Sequence, residues 1–334
     1  MPVSFEGWTS EIKENWEEDP KRAVLQGLWT TYLGAWLTVS TRYDPADNIF
    51  DKDWDALIIL DACRVDALKE VAPEYSFIEG DKIDSTWSLG SGSLEFMCKN
   101  FTTEYRDEIN ETVYVGANGY INRAFVDHTY APPVAIPFGW PKNQQVHANE
   151  FKELTNLWET RYEEDLRNVP PMAMTDASIG AGRRHDEGRF IFHYSQPHTP
   201  YLATAIDEGR PVTDQEHNPW PDLRDGDLEY GTVWEWYLEN LRLSLDCVEV
   251  LLNNLDVEDV IITADHGEAF GEWGIHGHPT GFPFPPVKKV PWVRVSATDK
   301  RTHQHSTIDG EANNCSNIDK ETINQQLKDL GYKV

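Results

Sequence analysis

Two short apolar runs set the tightest limit on how this chain can fold. Ala56–Leu60 ("ALIIL") and Val260–Thr263 ("VIIT") are continuous rather than alternating in hydrophobicity. Runs of this length and pattern are strands covered on both faces. Such strands need helices above and below them, which implies a mostly parallel sheet. The rest of the chain agrees. An amphipathic helix follows Asp61 through Leu68, and 233–255 has strong helical periodicity. Glu111–Asn118 and Phe190–Tyr194 read as further strands, the second breaking at Gln196-Pro197. Val287–Val295 reads as a fifth, and Pro291 within it points to a sheet edge. The stretch around 130–188 is rich in Pro, Asn, Arg and Glu, with a helix predicted near Asn149–Arg167. It reads as an insertion over the active face. A short helix is predicted near Lys320–Leu330, and no internal repeat is present.

Residues 1–50 read as an N-terminal helical segment packed on a domain spanning 51–334. Asp19-Pro20 is a good N-cap and first helical position. No charged residue occurs from Ala23 to Thr41, where Leu25, Leu28, Trp29, Tyr32, Leu33, Trp36 and Leu37 form one stripe. A membrane span would be apolar all round, and Gln26, Thr30, Thr31 and Ser40 are not. The stripe therefore predicts docking on the domain or a subunit interface of a homo-oligomer. Peripheral membrane contact through 23–41 is the weaker alternative.

Charge narrows the partners. The chain of 334 residues carries 57 acidic against 29 basic side chains, a net charge of −28. That surface repels nucleic acid and anionic membranes. The acidity is dispersed rather than gathered in a tail, and it resembles that of proteins from salt-loving organisms such as haloarchaea. Cys63, Cys98, Cys247 and Cys315 lie far apart with no CxxC pair, which argues against a disulfide framework or a structural zinc site. The first residues have neither a basic start nor an apolar core, so the expected location is the cytoplasm.

In sheets of this kind ligands sit beyond the carboxyl ends of the strands. Asp61, the His193–His198 segment and Asp265-His266 all fall there. Asp supplies a hard oxygen and His a borderline nitrogen, a set suited to Zn²⁺ or Mn²⁺. Taken singly the signals are weak, since Asp61 could equally cap the helix behind it. Ser93 follows Gly92 at the start of a helical pattern running from Leu94 to Phe101. Free amides there favour an anion, although Ser93 could also be only a cap.

Asp61 after a buried strand, a Ser some thirty residues on, "QPHTPY", and "ITADHGE" followed by "GHP" together resemble the alkaline phosphatase superfamily. The resemblance covers most of Asp55 to Trp292 in order. It implies an α/β fold, a three-layer sandwich with a central mixed, mostly parallel sheet. It implies an ester hydrolase of the sulfatase or phosphatase kind, acting on a small anionic ester or a glycan or lipid substrate. Asp61, Ser93, Asp265 and His266 would hold a divalent metal, with Ser93 as nucleophile. His198 and His278 would bind the transferring anion or protonate the leaving group, and His276 could stand in for His278. Arg64 could bind an equatorial oxygen, though a surface ion pair with Asp66 or Glu70 is an equal reading. His278 and His198 are candidates for a second ion, but no Asp-x-x-x-His accompanies them, so one ion is expected. Thr86, Ser88 and Ser91 compete with Ser93 for the nucleophile's place. "CRVDA" at Cys63 does not match the formylglycine pattern of sulfatases. A transferase of phospho-headgroups and a degenerate anion-binding member are the alternatives.

Overall fold

A computed structural model describes residues 3–43, 46–128, 135–139 and 144–304. Nine strands are described: β1 (Ala56–Asp61), β2 (Asp84–Trp87), β3 (Thr112–Gly116), β4 (Glu153–Asn156), β5 (Arg189–Pro197), β6 (Val260–Thr263), β7 (Ala269–Phe270), β8 (His276–Gly277) and β9 (Lys289–Val295). Seven form one sheet in the order β2-β9-β6-β1-β5-β3-β4, and β7 and β8 pair in a small ribbon beside it. β6, β1, β5, β3 and β4 run parallel, while β9 is antiparallel to both β6 and β2. This is the expected mixed, mostly parallel sheet.

β1 shows why its run is apolar throughout. Ala56, Ile58 and Leu60 face one hydrophobic layer, built with the helices Val65–Val71, Pro171–Arg184 and Tyr230–Leu252. Leu57 and Ile59 face the other, with Phe96, Phe101, Tyr114 and Phe125. All five side chains are fully buried. At roughly 25 cal/mol per Å² of apolar surface, complete burial of each Leu or Ile contributes on the order of 1.5–3 kcal/mol.

Three sequence expectations need correction. β9 is an interior strand, not an edge: Ser85 of β2 lies opposite Pro291. Pro291 lacks a donor, and its carbonyl accepts instead from the Thr263 hydroxyl at 2.7 Å. The true edges, β2 and β4, are short and polar, which removes the hydrophobic signal that would have marked them. Within the described part of 130–188, the structure is not a separate insertion throughout. β4 belongs to the main sheet, and the helix Pro171–Arg184 packs on it. That helix replaces the one predicted near 149–167, where only a turn, β4 and Leu157–Thr160 occur. The predicted helix near 320–330 and Cys315 lie outside the described residues.

Two helices precede the sheet, α1 (Phe5–Glu18) and α2 (Pro20–Ser40). The Asp19 carboxylate caps α2, accepting from the amides of Lys21 and Arg22. α1 lies along the polar side of α2, where Trp8 Nε1 donates to Thr30 Oγ1 at 2.7 Å. Leu33 and Leu37 are buried against Ile136. Leu25 and Leu28, at 68% and 66% exposure, are not covered by the described residues. The stripe thus divides: Leu33 and Leu37 pack inward while Leu25 and Leu28 stay exposed. No helix among the described residues is long and apolar enough to cross a membrane.

The acidic surface leads to one expectation about stability. Carboxylate repulsion is screened within about 10 Å at 0.1 M salt and about 3 Å at 1 M. With a charge of −28, the melting temperature should rise by many degrees between low and molar KCl. Equal melting temperatures in the two buffers would leave the acidity without a role in folding.

Candidate active site

Register brings the site together. Ile59 of β1 lies level with Thr263 of β6 on one side and His193 of β5 on the other. Asp61 and Asp265 each follow two residues later, so both leave the sheet at the same height. Gly116 of β3 is level with His193, which brings Asn118 to the same rim. The chain turns sharply after Asp61. Ala62 has φ 62, an uncommon conformation for a residue with a Cβ. It is held by its amide, which donates to Asp265 Oδ1 at 3.1 Å, and by Tyr237, whose hydroxyl donates to its carbonyl at 2.8 Å. Helix α3 (Val65–Val71) begins only at Val65 with Arg64 in the cap position. Asp61 is therefore not its cap and is available to the site.

Asp61, Asp265 and His266 offer one ligand atom each, all within 4.8 Å of one another. His266 Nε2 is 3.3 Å from Asp61 Oδ1 and 3.6 Å from Asp265 Oδ2. His266 Nδ1 lies 2.8 Å from the Gly267 carbonyl. Donating there, it leaves the Nε2 lone pair facing the carboxylates, the tautomer a metal ligand needs. Gly267 is required: a Cβ would sit 2.1 Å from the Pro286 carbonyl oxygen. Asp61 Oδ1 and Asp265 Oδ2 are buried without a hydrogen-bond partner. An unsatisfied buried carboxylate oxygen is costly, and a divalent cation between these atoms would remove that cost. The electrostatics agree. Burial disfavours a charged His266, yet the Asp265 and Asp61 carboxylates outweigh it and push the imidazole up to about 10. Burial likewise acts to raise Asp265, but His266 and His193 hold it below the usual carboxylate range. These residues fit a divalent cation.

Ser93 begins helix α4 (Ser93–Asn100). Its hydroxyl is 3.3 Å from Asp61 Oδ2 and 3.4 Å from His266 Nε2. Its competitors are engaged elsewhere. Thr86 on β2 accepts from Lys52 Nζ at 3.0 Å. Ser88 donates to the Asp265 carbonyl. Ser91 donates to Glu95 Oε2 at 2.7 Å and accepts from the Gly281 amide at 2.7 Å. Cys63 is fully buried, and burial raises its thiol far above the ordinary value, which removes it as a nucleophile.

A second group lies beside the first: His198, Glu268 and His278. The His278 ring is 4.3 Å from that of His266 and 4.9 Å from that of His198, centroid to centroid. Glu268 Oε1 is 3.0 Å from His278 Nδ1, and Oε2 is 3.9 Å from His198 Nε2. Here both carboxylate oxygens face an imidazole nitrogen. Burial acts to raise Glu268, but the charge of His278 and its neighbours holds it low.

Two expected site residues are not brought in. Arg64 donates to both Asp66 oxygens at 2.9 and 2.6 Å, to Glu272 at 2.6 Å and to the Glu268 carbonyl at 3.0 Å. Its guanidinium is held by these partners and braces the loop. His276 lies in β8, its Nε2 against Gly271, away from the cluster that His278 joins. Two residues escaped sequence reasoning. Asn118 donates to Asp61 Oδ2 at 2.8 Å. Glu268 had its place in "DHGE" as a signal, but nothing local indicated its histidine partners.

No protein-family model matches the chain, and no curated protein does either. Among solved structures, it is similar to the C-terminal periplasmic domain of phosphoethanolamine transferase EptC from Campylobacter jejuni. Identity there is 12%, covering 71% of this chain and 76% of that one, with a TM-score of 0.43. Lipooligosaccharide phosphoethanolamine transferase A from Neisseria meningitidis, an integral membrane protein, gives 15% identity over 74% of this chain at a TM-score of 0.47. The chain spans about half of that protein, 48%. A putative sulfatase from Bacteroides thetaiotaomicron gives 12% identity over 72% of this chain and 64% of that one, at 0.38. These overlaps are loose, and no activity is taken from them.

Proposed function

We propose that this chain is a metal-dependent enzyme of the alkaline phosphatase superfamily that cleaves phosphate or sulfate esters through a seryl ester. The observation that carries this reading is the convergence of Ser93 Oγ on Asp61 and His266, beside two buried carboxylate oxygens that accept no hydrogen bond. Asp61, Asp265 and His266 would hold the ion, Zn²⁺ or Mn²⁺, with Ser93 completing the set. When bound, such an ion lowers the pKa of a hydroxyl and neutralises charge on the transferring group.

Ser93 Oγ attacks phosphorus or sulfur, and its proton passes to Asp61 Oδ2, its hydrogen-bond partner. The ester bond to the alcohol breaks as His278 or His198 supplies the leaving oxygen with a proton. Glu268 holds His278 through Nδ1 and so orients its ring toward the site. Water then attacks the seryl ester and gives a proton back to the same histidine, while Asp61 Oδ2 returns its proton to the departing Ser93 oxygen and so restores the hydroxyl. An acceptor alcohol in place of water would make the enzyme a transferase.

The test is turnover of matched aryl phosphate, aryl phosphodiester and aryl sulfate substrates with Zn²⁺ or Mn²⁺. One class should be cleaved, a chelator should abolish the activity, and the metal should restore it. Metal-loaded protein that cleaves none of the three, with or without an added alcohol, would leave only anion binding.

A further inference from the structure

His193 takes no part in the ester cleavage proposed for Ser93, yet it is a fully buried imidazole beside the cation site. It lies in β5, level with Ile59 of β1 and Gly116 of β3. A polar ring at such depth needs partners for its nitrogens. Nδ1 lies 2.7 Å from the Tyr114 hydroxyl. Nε2 lies 3.5 Å from Asp265 Oδ2, and neither of these two atoms makes a hydrogen bond. That separation is a few tenths of an ångström longer than an ordinary N–H···O bond.

Tyr114 decides which nitrogen carries the proton. Its ring stands against Phe101, Phe125 and Phe151, with centroids 5.6, 6.0 and 5.7 Å away. Gly116 makes room for it, since a Cβ there would come 2.7 Å from Cε1 of the tyrosine. Among the described residues, His193 is the only hydrogen-bond partner of the hydroxyl. A hydroxyl proton left unpaired among these rings would be costly, so the hydroxyl donates to Nδ1. The proton of the neutral imidazole is then on Nε2, which has no lone pair to offer an ion. The opposite tautomer would turn a lone pair toward a carboxylate oxygen.

Asp265 stands at the other end of the pair. Its Oδ1 already accepts from the amides of Ala62 at 3.1 Å and His266 at 2.9 Å. Oδ2 is the oxygen left for an ion, and the two amides do not hold it directly. A carboxylate oxygen can take an ion on one lone pair and a hydrogen bond on the other. We propose that His193 is a positioning residue: its Nε2–H, set by the Tyr114 hydroxyl, holds Asp265 Oδ2 in place for a divalent cation. This rests on the reading of Asp61, Asp265 and His266 as a cation site. Groups behind a metal's ligands orient them and tune their affinity in this way.

Zn²⁺ is titrated calorimetrically into the full chain and into three variants, and each metal-free protein is melted. His193→Phe keeps the bulk of the ring without a donor. His193→Asn offers an amide near Nδ1 and nothing near Nε2, while His193→Gln places a donor near Nε2. The Phe and Asn variants should bind Zn²⁺ about 10–100-fold more weakly than the wild type, as is typical when such an outer partner is lost. Each stands in for the other if one fails to fold. His193→Gln should recover most of the affinity, although it fills the ring's space less well than Phe, and that recovery separates positioning from packing. Wild-type affinity in the Phe or Asn variant, or a Gln variant as weak as they are, would overturn the proposal and leave the cation site standing. A wild type that binds neither Zn²⁺ nor Mn²⁺ would remove the cation site and the proposal with it.

Discussion

Ser93→Ala should lower turnover by on the order of 10⁴-fold while the fold and the metal affinity stay close to those of the wild type. The hydroxyl is the only one of the loop's candidates in contact with both Asp61 and His266. Removing it deletes the covalent step but leaves Asp61, Asp265 and His266 to hold the ion. Ser91→Ala acts differently. It loses the contacts to Glu95 and Gly281, so it should reduce stability and retain most of the turnover. Steady-state kinetics together with metal content measured on the same preparations separate the two. Near-normal turnover in Ser93→Ala, with Ser91→Ala inactive, would assign the nucleophile to the wrong serine.

The second large effect concerns stability. Glu95→Ala should cost about 3–5 kcal/mol in denaturant unfolding, the cost typical of breaking a buried ion pair from one side. Glu95 is 2% exposed and lies 2.8 Å from Lys99 Nζ, while Lys99 and Lys288 both donate to the Leu89 carbonyl. Without the carboxylate, two ammonium groups would share the interior after losing the counter-charge that Glu95 supplies. Glu95 also accepts from Ser91 and from Trp36 of α2, so the nucleophile loop should loosen as well. The pH dependence has a definite sign. Burial would raise the Glu95 carboxyl, but Lys99 and Lys288 hold it far below the ordinary carboxylate range. A depressed pKa contributes stability above the unfolded value and loses it only as pH falls through the folded one. The cost of Glu95→Gln should therefore be the same at pH 5 as at pH 7. A cost that vanished by pH 5 would mean that Glu95 is already protonated there.

The sequence alone determined the buried strands and the residues at their carboxyl ends. A strand covered on both faces must be apolar throughout, so β1 and β6 announce themselves, and Asp61 and Asp265 stand out where the apolar run stops. Ser93 was legible as a helix start for the same local reason. The edges of the sheet were not legible, because β2 and β4 are half-solvated and need no hydrophobic pattern. Nor was the choice among the loop's hydroxyls, which depends on Glu95, Gly281 and Asp265 from elsewhere in the chain. Arg64 read equally as an anion ligand or a partner of Asp66; the pair with Asp66 is present, and Glu272, 208 residues away, joins it only in the folded chain. Asn118 and the union of Glu268 with His198 and His278 likewise depend on strand order and register. Local pattern reports how a residue meets solvent and its own backbone. Which distant side chains it meets is decided only when the sheet closes around it.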